Sequence, residues 1–442
     1  MEFNVMDYGA AGDGKTKDTA AIQQAIDACH QAGGGRVVLP GSSIYLTGSL
    51  CLKSNVDLHI ESGAVLKASE DFEDYIPSSP ESGPVLQPAS QVPSYVNCEY
   101  HGRPRHYFLY ALHGENIRIT GEGTIDGSEN IYYGEVDSYH IEGKFYPRIP
   151  MIFVEDIRHF TVKEVTLTKC AFWTIHPVGC YDVLIDRVRI LNNTKMANCD
   201  GIDPDHCDQV RIIGCHIECG DDCIVLKTSQ DFQEYGPCQN VVISDCTLIS
   251  TSSAIKIGTD SESDFRNISV QNCCISRTNR ALSIQLRDKG NVENLIVSNV
   301  NIETRRFSPQ WWGGAEPIYV TVVDRKEGVT AGRVKNVCFE NINCIGENGI
   351  FLSGSENHIM EDIRLRNIRV VLKKTSKWPS DTYDIRPCGF DGLISSKIYG
   401  IYLDKIKGIR LEDVQIEIDE SMEPYAGGES KILDVEGMKV LP

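Results

Sequence analysis

The amino-acid sequence predicts an all-β protein, a single-stranded right-handed parallel β-helix with a short N-terminal capping helix. A weak repeat, in which a polar residue precedes alternating aliphatic residues, starts roughly every 27 residues through most of the chain. Helix-period patterning is absent through these repeats. Asn or Asp begins most of them, and these residues tolerate the left-handed backbone of a corner. The three observations favour stacked coils of parallel strands.

The repeat starts mark the coils of the predicted β-helix. Their spacing stretches to roughly 42 residues where a loop intrudes, which lies within the range of solenoid repeats. A β-propeller needs antiparallel blades, and the Asn-Gly and Asp-Gly hairpins typical of blades are too few. A leucine-rich horseshoe needs a regular leucine scaffold, which the sequence lacks. The recognisable repeats begin at Asp182, Gln209, Asn240, Asn267, Asn294, Asn336 and Asp362.

One convincing helix is predicted near the start of the chain, from Thr16 to Ala32. Its apolar residues recur at helical spacing, and Gly33-Gly34-Gly35 ends it. Short β runs follow at once, the first of them from Gly35 to Leu39. A helix in this position would cap the end of a solenoid.

The chain is predicted to form a single domain over residues 1–442. That length exceeds an ordinary compact core, but the core of an elongated solenoid grows along one axis. Insertions near 72–105, 131–150 and 305–332 lack the repeat, and we expect them to be loops that wall a cleft.

The charge balance excludes several classes of partner. The chain has 43 basic and 62 acidic residues, a net charge of -19, which opposes binding to nucleic acid or to an anionic membrane. No apolar stretch is long enough to cross a bilayer, and the first residues lack a signal-peptide pattern. We therefore expect a cytoplasmic protein from the sequence as given, or a secreted one if this is a mature or truncated form.

The seventeen cysteines are interpreted mostly as reduced core residues. Their odd number and the length of the chain do not fit a disulfide scaffold. Cys207, Cys215, Cys219 and Cys223 could be read as a zinc site, but most of them lie within strand-like apolar patterns rather than in Cys-x-x-Cys pairs. We predict neither a metal nor a cofactor.

Three aspartates in two short segments carry the chemistry. They are Asp200 in Asn198-Cys199-Asp200-Gly201 and Asp221 and Asp222 in Gly220-Asp221-Asp222-Cys223. The separation is close to one coil, so parallel stacking predicts that Asp200 and Asp221 face each other. Clustered carboxylates repel, which raises the pKa of at least one and suits it to act as a general acid. The alternative is that the three are solvated turn residues.

These segments, with Asp203-Pro204-Asp205 between them, resemble glycoside hydrolase family 28, the polygalacturonase-like β-helix enzymes. The likeness extends to Tyr8-Gly9-Ala10 and Trp173-Thr174-Ile175-His176-Pro177, and it covers most of the chain. It implies that Asp221 is the general acid, and that Asp200 and Asp222 hold and deprotonate the attacking water. The implied reaction is hydrolysis with inversion, without metal or cofactor.

Two segments depart from the family pattern. The Gly-His-Gly segment of family members that act on galacturonan is replaced by Ser252-Ser253-Ala254, and their Arg-Ile-Lys by Ser283-Ile284-Gln285. Arg and Lys suit a carboxylate, whereas Ser and Gln offer neutral hydrogen bonds to hydroxyls. The sequence therefore argues against galacturonate as the cleaved sugar.

Several other residues are candidates for substrate binding. Lys227, Lys256 or Arg287 could replace the missing cations, although each could equally be a surface cation or the partner of an acid. In the aromatic loop 305–316 we expect one tryptophan to stack on sugar and one to be buried. The predicted substrate contacts are Asn198, Lys227, Lys256, Ser253, Gln285, His176, Trp311, Trp312 and Glu316.

The sequence thus predicts an inverting glycosidase that cleaves an oligosaccharide from the chain end, at a neutral or weakly acidic sugar. The oligosaccharide is the one partner predicted. Two alternatives remain open: an exo-polygalacturonase with rearranged cations, and a catalytically inactive carbohydrate-binding β-helix. A polysaccharide lyase on the same fold is the weakest alternative, because uronate-binding cations are missing.

Overall fold

A computed structural model describes residues 1–77, 87–88, 104, 106–143, 145–146, 148–356 and 360–442. The chain folds into two compact units, Met1–Gly220 and Asp221–Pro442. The prediction of a single domain over 1–442 stays a prediction. Among the described residues, no helix is both long and apolar enough to cross a membrane.

The first unit contains the one α-helix of the described residues, α1 (Thr19–Gln31). Its buried face consists of Ile22, Ala25, Ile26 and Cys29, at the spacing of one helix face. The helix begins three residues later than predicted, because the Asp18 carboxylate instead accepts hydrogen bonds from the backbone of Ala11 and Gly12. Positive φ values at Gly33, Gly34 and Gly35 end it, as the sequence predicted.

The first unit is otherwise built from short strands in parallel columns. One column runs β1, β3, β6, β11, β16, β19 and β21, and a second runs β2, β4, β7, β12, β17, β20 and β22. The strands are β1 (Glu2–Asn4), β2 (Asp13–Lys17), β3 (Gly35–Leu39), β4 (Ile44–Thr47), β5 (Leu50–Cys51), β6 (Val56–Ile60), β7 (Val65–Ala68), β8 (Ile76–Pro77), β9 (Gln87–Pro88), β10 (His106–Tyr107), β11 (Leu109–Thr120), β12 (Thr124–Asp126), β13 (Tyr133–Val136), β14 (Ile141–Gly143), β15 (Phe145–Tyr146), β16 (Ile152–Lys163), β17 (Thr166–Thr168), β18 (Ile175–Val178), β19 (Tyr181–Asp186), β20 (Arg189–Leu191), β21 (Asp208–Ile213) and β22 (His216–Cys219). Short 3-10 helices lie at Val5–Tyr8, Phe72–Asp74 and Glu129–Tyr132.

The second unit continues with longer strands in the same parallel manner. A seven-stranded sheet, here called the cleft sheet, runs β23, β26, β29, β31, β33, β37 and β39, and a second sheet contains β24, β27, β30, β32, β34 and β38. The strands are β23 (Ile224–Thr228), β24 (Cys238–Ser244), β25 (Thr247–Ser250), β26 (Ser253–Ser261), β27 (Phe265–Gln271), β28 (Cys274–Thr278), β29 (Arg280–Leu286), β30 (Val292–Thr304), β31 (Ile318–Val322), β32 (Val334–Gly346), β33 (Ile350–Ser353), β34 (Met360–Leu372), β35 (Thr382–Asp384), β36 (Leu393–Ser395), β37 (Ile398–Asp404), β38 (Ile406–Ile418), β39 (Ala426–Ile432), β40 (Val435–Glu436) and β41 (Lys439–Leu441). Short 3-10 helices lie at Gln230–Tyr235 and Glu420–Met422.

The repeat starts form a ladder at one corner of the second unit. Asn240, Asn267, Asn294 and Asn336 all have positive φ, as predicted for corner residues. Their side-chain amides bond from coil to coil, with nitrogen to oxygen distances of 3.0, 3.3 and 2.8 Å. Most strands of both units pair in parallel and the described helices are few, which confirms the predicted all-β class.

The predicted insertions have different outcomes. Most of 72–105 lies outside the described residues. The segment 131–150 contains the antiparallel pair β13 and β14. The segment 305–332 is interrupted by β31, which joins the cleft sheet because Ile318, Val320 and Val322 continue its apolar alternation.

Candidate active site

In the first unit, the Asn198–Asp200 segment is held by Arg148. The Arg148 guanidinium is buried and donates from Nη1 to the Ala197 carbonyl oxygen at 2.8 Å and from Nη2 to Asn198 Oδ1 at 3.0 Å. Asn198 has a left-handed backbone, with φ of 59°, which asparagine tolerates better than most residues. The predicted substrate residue Asn198 thus has its side-chain oxygen turned to Arg148.

Asp200 is buried and its backbone is fixed to the preceding coil. Its carbonyl oxygen accepts hydrogen bonds from the Thr174 amide at 3.0 Å and from Thr174 Oγ1 at 2.7 Å. Asn192 Nδ2 donates to the same hydroxyl oxygen at 2.8 Å. The Trp-Thr-Ile-His-Pro motif of the sequence therefore positions the aspartate through its threonine.

His176 lies within the packed core of the first unit. Its side chain is buried, its Nε2 lies 3.4 Å from Asp205 Oδ2, and its ring meets those of Phe153 and Trp173 edge to face. These contacts give the histidine a packing role in the core of the first unit. Contact of His176 with substrate stays a prediction.

In the second unit, the Asp222 carboxylate accepts hydrogen bonds from three groups. It is 1% exposed. Its Oδ1 accepts hydrogen bonds from Ser252 Oγ at 2.9 Å and from the Ser253 amide at 3.1 Å, and its Oδ2 lies 2.7 Å from Lys256 Nζ. Asp221, which precedes it, is half-buried and accepts a hydrogen bond from Ser250 Oγ at its backbone oxygen.

These contacts keep the Asp222 carboxyl ionised. Burial raises its pKa, but the attraction and hydrogen bond of Lys256, the charge of Lys227 and the hydroxyl of Ser252 outweigh burial, so the pKa is lowered from its ordinary value. An ionised carboxylate can accept a proton from water, as a general base must.

The strand register explains why these residues meet. Val225 of β23 is opposite Lys256 of β26, and Lys256 is opposite Ser283 of β29. Side chains on one face of neighbouring parallel strands lie about 4.8 Å apart, so a lysine can reach an aspartate one coil away. The cleft sheet thus brings Ser253, Lys256 and Lys227 to Asp222, and their contact with substrate stays a prediction.

Ser283 and Gln285 occupy the next coil of the cleft sheet. Both are buried, and Gln285 Nε2 donates to Ser283 Oγ at 2.9 Å. The two neutral groups that replace the family's Arg and Lys therefore bind each other.

Arg287 is a structural residue of the second unit. Its buried guanidinium donates to the carbonyl oxygens of Pro387 at 2.6 Å and Ile385 at 2.9 Å. The suggestion that Arg287 replaces a substrate-binding cation is therefore wrong. A chain segment about a hundred residues later, which the local sequence does not reveal, takes up its hydrogen bonds.

The aromatic loop separates its two tryptophans. Trp311 is 5% exposed and Trp312 is 47% exposed, as expected for one buried and one available indole. The guanidinium carbon of Arg386 lies 5.0 Å from the centroid of the Trp312 ring, and Arg386 pairs with Asp384 at 2.7 Å. The exposed indole is thus backed by an ion pair, while its contact with sugar stays a prediction.

Glu316 supports that loop from below. It is buried, and its Oε2 lies 3.1 Å from Arg280 Nε and 2.8 Å from the Gly314 amide. Arg280 and the loop backbone thus hold the Glu316 carboxylate in a buried position, and its contact with substrate stays a prediction.

Sequence reasoning missed Arg148 and Arg280. Each is a buried arginine whose partners are far away in the sequence, 49 residues for Ala197 and 36 for Glu316. The only local signal for Arg148 is its position between two prolines, Pro147 and Pro150, in a predicted loop. The role of a buried arginine is recognised from the groups that it binds, and a single sequence does not show which groups those are.

Comparison with known proteins identifies the class and then the family. The chain has the fold of pectin-lyase-like right-handed parallel β-helix proteins. It superposes on a hyperthermoactive exopolygalacturonase from Thermotoga maritima with a TM-score of 0.72 and 23% identity, covering 94% of this chain and 92% of that one. A family 28 exopolygalacturonase from Yersinia enterocolitica gives a TM-score of 0.72 and 18% identity, covering 99% and 78%.

The family model for glycosyl hydrolases family 28 matches residues 95–381. The chain belongs to this family, which confirms the predicted recognition. A second model, described as rhamnogalacturonase A/epimerase, pectate lyase-like, matches residues 2–79. A probable polygalacturonase from Vitis vinifera is 32% identical over 279 residues, covering 60% of this chain. The match spans 53% of the length of that relative.

Proposed function

We propose that the chain hydrolyses an oligosaccharide by single displacement with inversion, and that it removes a neutral or weakly acidic sugar from the chain end. The observation that carries the proposal is Asp222, a buried carboxylate kept ionised by Lys256 and the serine pair. In an inverting enzyme, such a group orients and deprotonates the attacking water. Asp200 assists it, in the role that family membership implies.

Asp221 is the general acid in this proposal. It is half-buried, whereas Asp222 is enclosed, so it is the member of the pair that can reach a leaving oxygen. Inversion needs the acid and the base on opposite sides of the sugar ring. Asp221 donates its proton to the glycosidic oxygen as the bond to the anomeric carbon breaks, and water attacks the opposite face.

The cations of the cleft sheet support a neutral sugar in the cleaved position. Arg280 is paired with Glu316, Arg287 binds backbone carbonyls, and Lys256 is paired with Asp222. Ser283 and Gln285 offer hydrogen bonds of the kind that hydroxyls accept and donate. A galacturonate carboxylate would have to compete with protein groups for each of these three cations.

One observation favours a second candidate, an exo-polygalacturonase with rearranged cations. Lys227 and Lys256 both act on Asp222, and a substrate carboxylate could share their charge. The relatives from Vitis vinifera and Thermotoga maritima are named as a polygalacturonase and an exopolygalacturonase. In this candidate the lysines would take the place of the family's Arg-Ile-Lys cations.

The test is hydrolysis of a panel of neutral and uronic oligosaccharides related to pectin, with the parent and two variants. Asp221→Asn removes the acid. Asp245→Asn is the matched control, because Asp245 is a corner residue with positive φ that asparagine tolerates. We expect the parent and Asp245→Asn to release monosaccharide, and Asp221→Asn to lose about a thousandfold in rate, which is within the usual contribution of a general acid.

Proton NMR of the first product distinguishes the stereochemistry, and the size of the products distinguishes exo from endo action. Galacturonate as the preferred product would support the second candidate instead. Equal hydrolysis by Asp221→Asn, or a product of retained configuration, would overturn the assigned mechanism. Glycan binding without turnover of any member would favour the inactive carbohydrate-binding alternative.

A further inference from the structure

A second groove lies on the second unit, away from the strands of the cleft sheet. It has a volume of about 430 Å³ and opens on the exposed face of β30, β32, β34 and β38. No residue of this groove takes part in the site described above. The residues that line it are Asn294, Leu295, Ile296, Asn336, Cys338, Glu340, Arg364, Leu365, Arg366, Arg410 and Glu412.

The register of the strands places three cations in one column. Arg364 of β34 is opposite Arg410 of β38, and Arg410 is opposite Lys439 of β41. Ile296 and Cys338 continue the same column on the other side of Arg364. Neighbouring members of a column lie about 4.8 Å apart, so the column sets three like charges side by side.

The flanking columns follow the opposite rule. On one side, Arg366 lies between Glu340 and Glu412, at 3.6 Å from each. On the other side, the asparagine corner that includes Asn336 lies next to the column, and beyond it Lys335 lies 3.8 Å from Glu361. Opposite charges thus alternate in both of these charged columns, which is the arrangement that stabilises a sheet surface.

The central column of Arg364, Arg410 and Lys439 differs from these columns, because its charges are all of one sign. Within the part of the chain that the structure describes, no acid lies within ion-pair distance of Arg364, Arg410 or Lys439. Like charges directly opposite each other in a sheet are destabilising. The chain has a surplus of nineteen acids, so acidic neighbours were plentiful, yet none occupies this column. An anion from outside the chain would offset the repulsion.

We propose that this groove binds an acidic polysaccharide, a glycan with a carboxylate on successive sugars, as an accessory site separate from the cleaved position. Arg364 and Arg410 offer two parallel N–H donors each, which match a carboxylate. The exposed Ile296 gives an apolar shelf for a sugar ring.

The groove is lined by both basic and acidic residues, and this mixture favours an acidic polysaccharide over a nucleic acid or a membrane. Glu340 and Glu412 stand at the groove wall and would repel the dense charge of a nucleic acid or an anionic membrane. A uronic polysaccharide has one charge for each sugar and many hydroxyls. These hydroxyls can donate hydrogen bonds to the glutamate carboxylates. The groove therefore fits a sparsely charged polyol.

The experiment measures binding of an oligogalacturonate to the full chain by titration calorimetry. All proteins carry Asp221→Asn, so that the probe is not consumed. Arg364→Gln/Arg410→Gln removes the column. Arg369→Gln/Lys407→Gln is the matched control, because it removes two exposed cations from the same two strands outside the groove lining. We expect about a tenfold loss of affinity in the first pair, from the loss of charged hydrogen bonds. The control should stay within about twofold of the parent.

Three outcomes would overturn the proposal: unchanged affinity in Arg364→Gln/Arg410→Gln, an equal loss in both pairs, or equal binding of a neutral galactan oligosaccharide. Tighter binding of single-stranded DNA or phosphatidylserine vesicles would also overturn it, in favour of another anionic partner. With Asp221 restored, Arg364→Gln/Arg410→Gln should hydrolyse short oligosaccharides as the parent does. The proposed binding in the groove and the proposed hydrolysis can therefore be contradicted independently of each other.

Discussion

Lys256 Nζ lies 2.7 Å from Asp222 Oδ2, although 34 residues separate them along the chain. Both side chains are largely buried, 14% exposed for the lysine and 2% for the aspartate. Moving a carboxylate out of water costs several kcal/mol unless a partner and hydrogen bonds offset the loss. Lys256 therefore has two roles, to allow Asp222 to be buried and to keep it ready to accept a proton.

Replacing Lys256 with Met should impair both stability and catalysis. We expect the free energy of unfolding to fall by about 3 kcal/mol, since one partner of a buried pair is removed. The pKa of Asp222 should rise, because the cation that lowers it is gone. The acidic limb of the kcat/KM profile reports the base of the free enzyme, so it should move to higher pH.

Lys289→Met is the control for this change, because Lys289 is 61% exposed and its pair with Glu262 lies at the surface. A surface pair contributes about 0–1 kcal/mol. We measure urea unfolding and the pH profile of both variants on the substrate found active. An acidic limb that stays in place in Lys256→Met would show that Lys256 does not govern the charge of Asp222.

Arg148→Lys should lower activity with little change in folding. Lysine keeps the charge but cannot donate two hydrogen bonds in the fork geometry that reaches Ala197 and Asn198. Loss of one charged hydrogen bond at this segment would lower kcat/KM about tenfold or more. The measurement is steady-state kinetics, with far-ultraviolet circular dichroism to check the fold.

Arg158→Lys is the matched control, because Arg158 is exposed and its guanidinium stacks over Tyr181 at 4.7 Å. We expect its kcat/KM to equal that of the parent. If Arg148→Lys is as active as Arg158→Lys, Arg148 has no part in holding the Asn198–Asp200 segment.

The fold was predictable from the sequence, because a coil needs a polar corner and alternating apolar residues that any single repeat displays. Asn240 and Asn267 show this pattern, and both have the left-handed backbone that the spacing predicted. The roles of Arg287 and Glu316 were not predictable. Their partners, Pro387 and Arg280, lie about a hundred residues and 36 residues away, and no local pattern links them.

The catalytic segments were predictable from the sequence only in part. Asp222 was found from a motif, whereas its dependence on Lys256 follows from the register of β23 and β26. Lys256 was predicted as a substrate contact, with a surface cation or the partner of an acid as the alternatives. Because neighbouring strands are one coil apart along the chain, Lys256 becomes a direct neighbour of Asp222 although 34 residues separate them. Which residue becomes the neighbour follows from the register of the strands.

Exchange of the two tryptophans for alanine should separate binding from stability. Trp312→Ala removes the exposed indole, and we expect KM to rise about three- to tenfold through the loss of stacking on a sugar ring. Trp311→Ala empties a buried position and should cost about 3–5 kcal/mol of unfolding free energy. Kinetics and urea unfolding of both variants distinguish the effects.

The two tryptophan variants are controls for each other, since they remove the same side chain from adjacent positions. Unchanged KM in Trp312→Ala would show that the exposed indole does not touch substrate. Equal destabilisation of the two variants would contradict the difference in their burial.

Glu347 should make the second unit sensitive to acid. Its carboxylate is buried and accepts hydrogen bonds from Thr375 Oγ1 at 2.7 Å, the Ser376 amide at 2.6 Å and Lys374 Nζ. Burial raises its pKa, but these donors outweigh burial, and the pKa is lowered from its ordinary value. The lowered pKa stabilises the folded state at any pH above the value of the unfolded chain, about 4.3 for glutamate.

As pH falls from there through the folded pKa, this contribution is lost, because the unfolded chain binds the proton first. Glu347→Gln should therefore be less stable than the parent by about 3 kcal/mol at pH 7, and the difference should shrink below about pH 4. Urea unfolding at a series of pH values measures it, with Glu303→Gln, an exposed glutamate of β30, as the control. A parent-to-variant difference that stays constant down to pH 3, or one that Glu303→Gln reproduces, would show that the Glu347 carboxylate does not carry this stability.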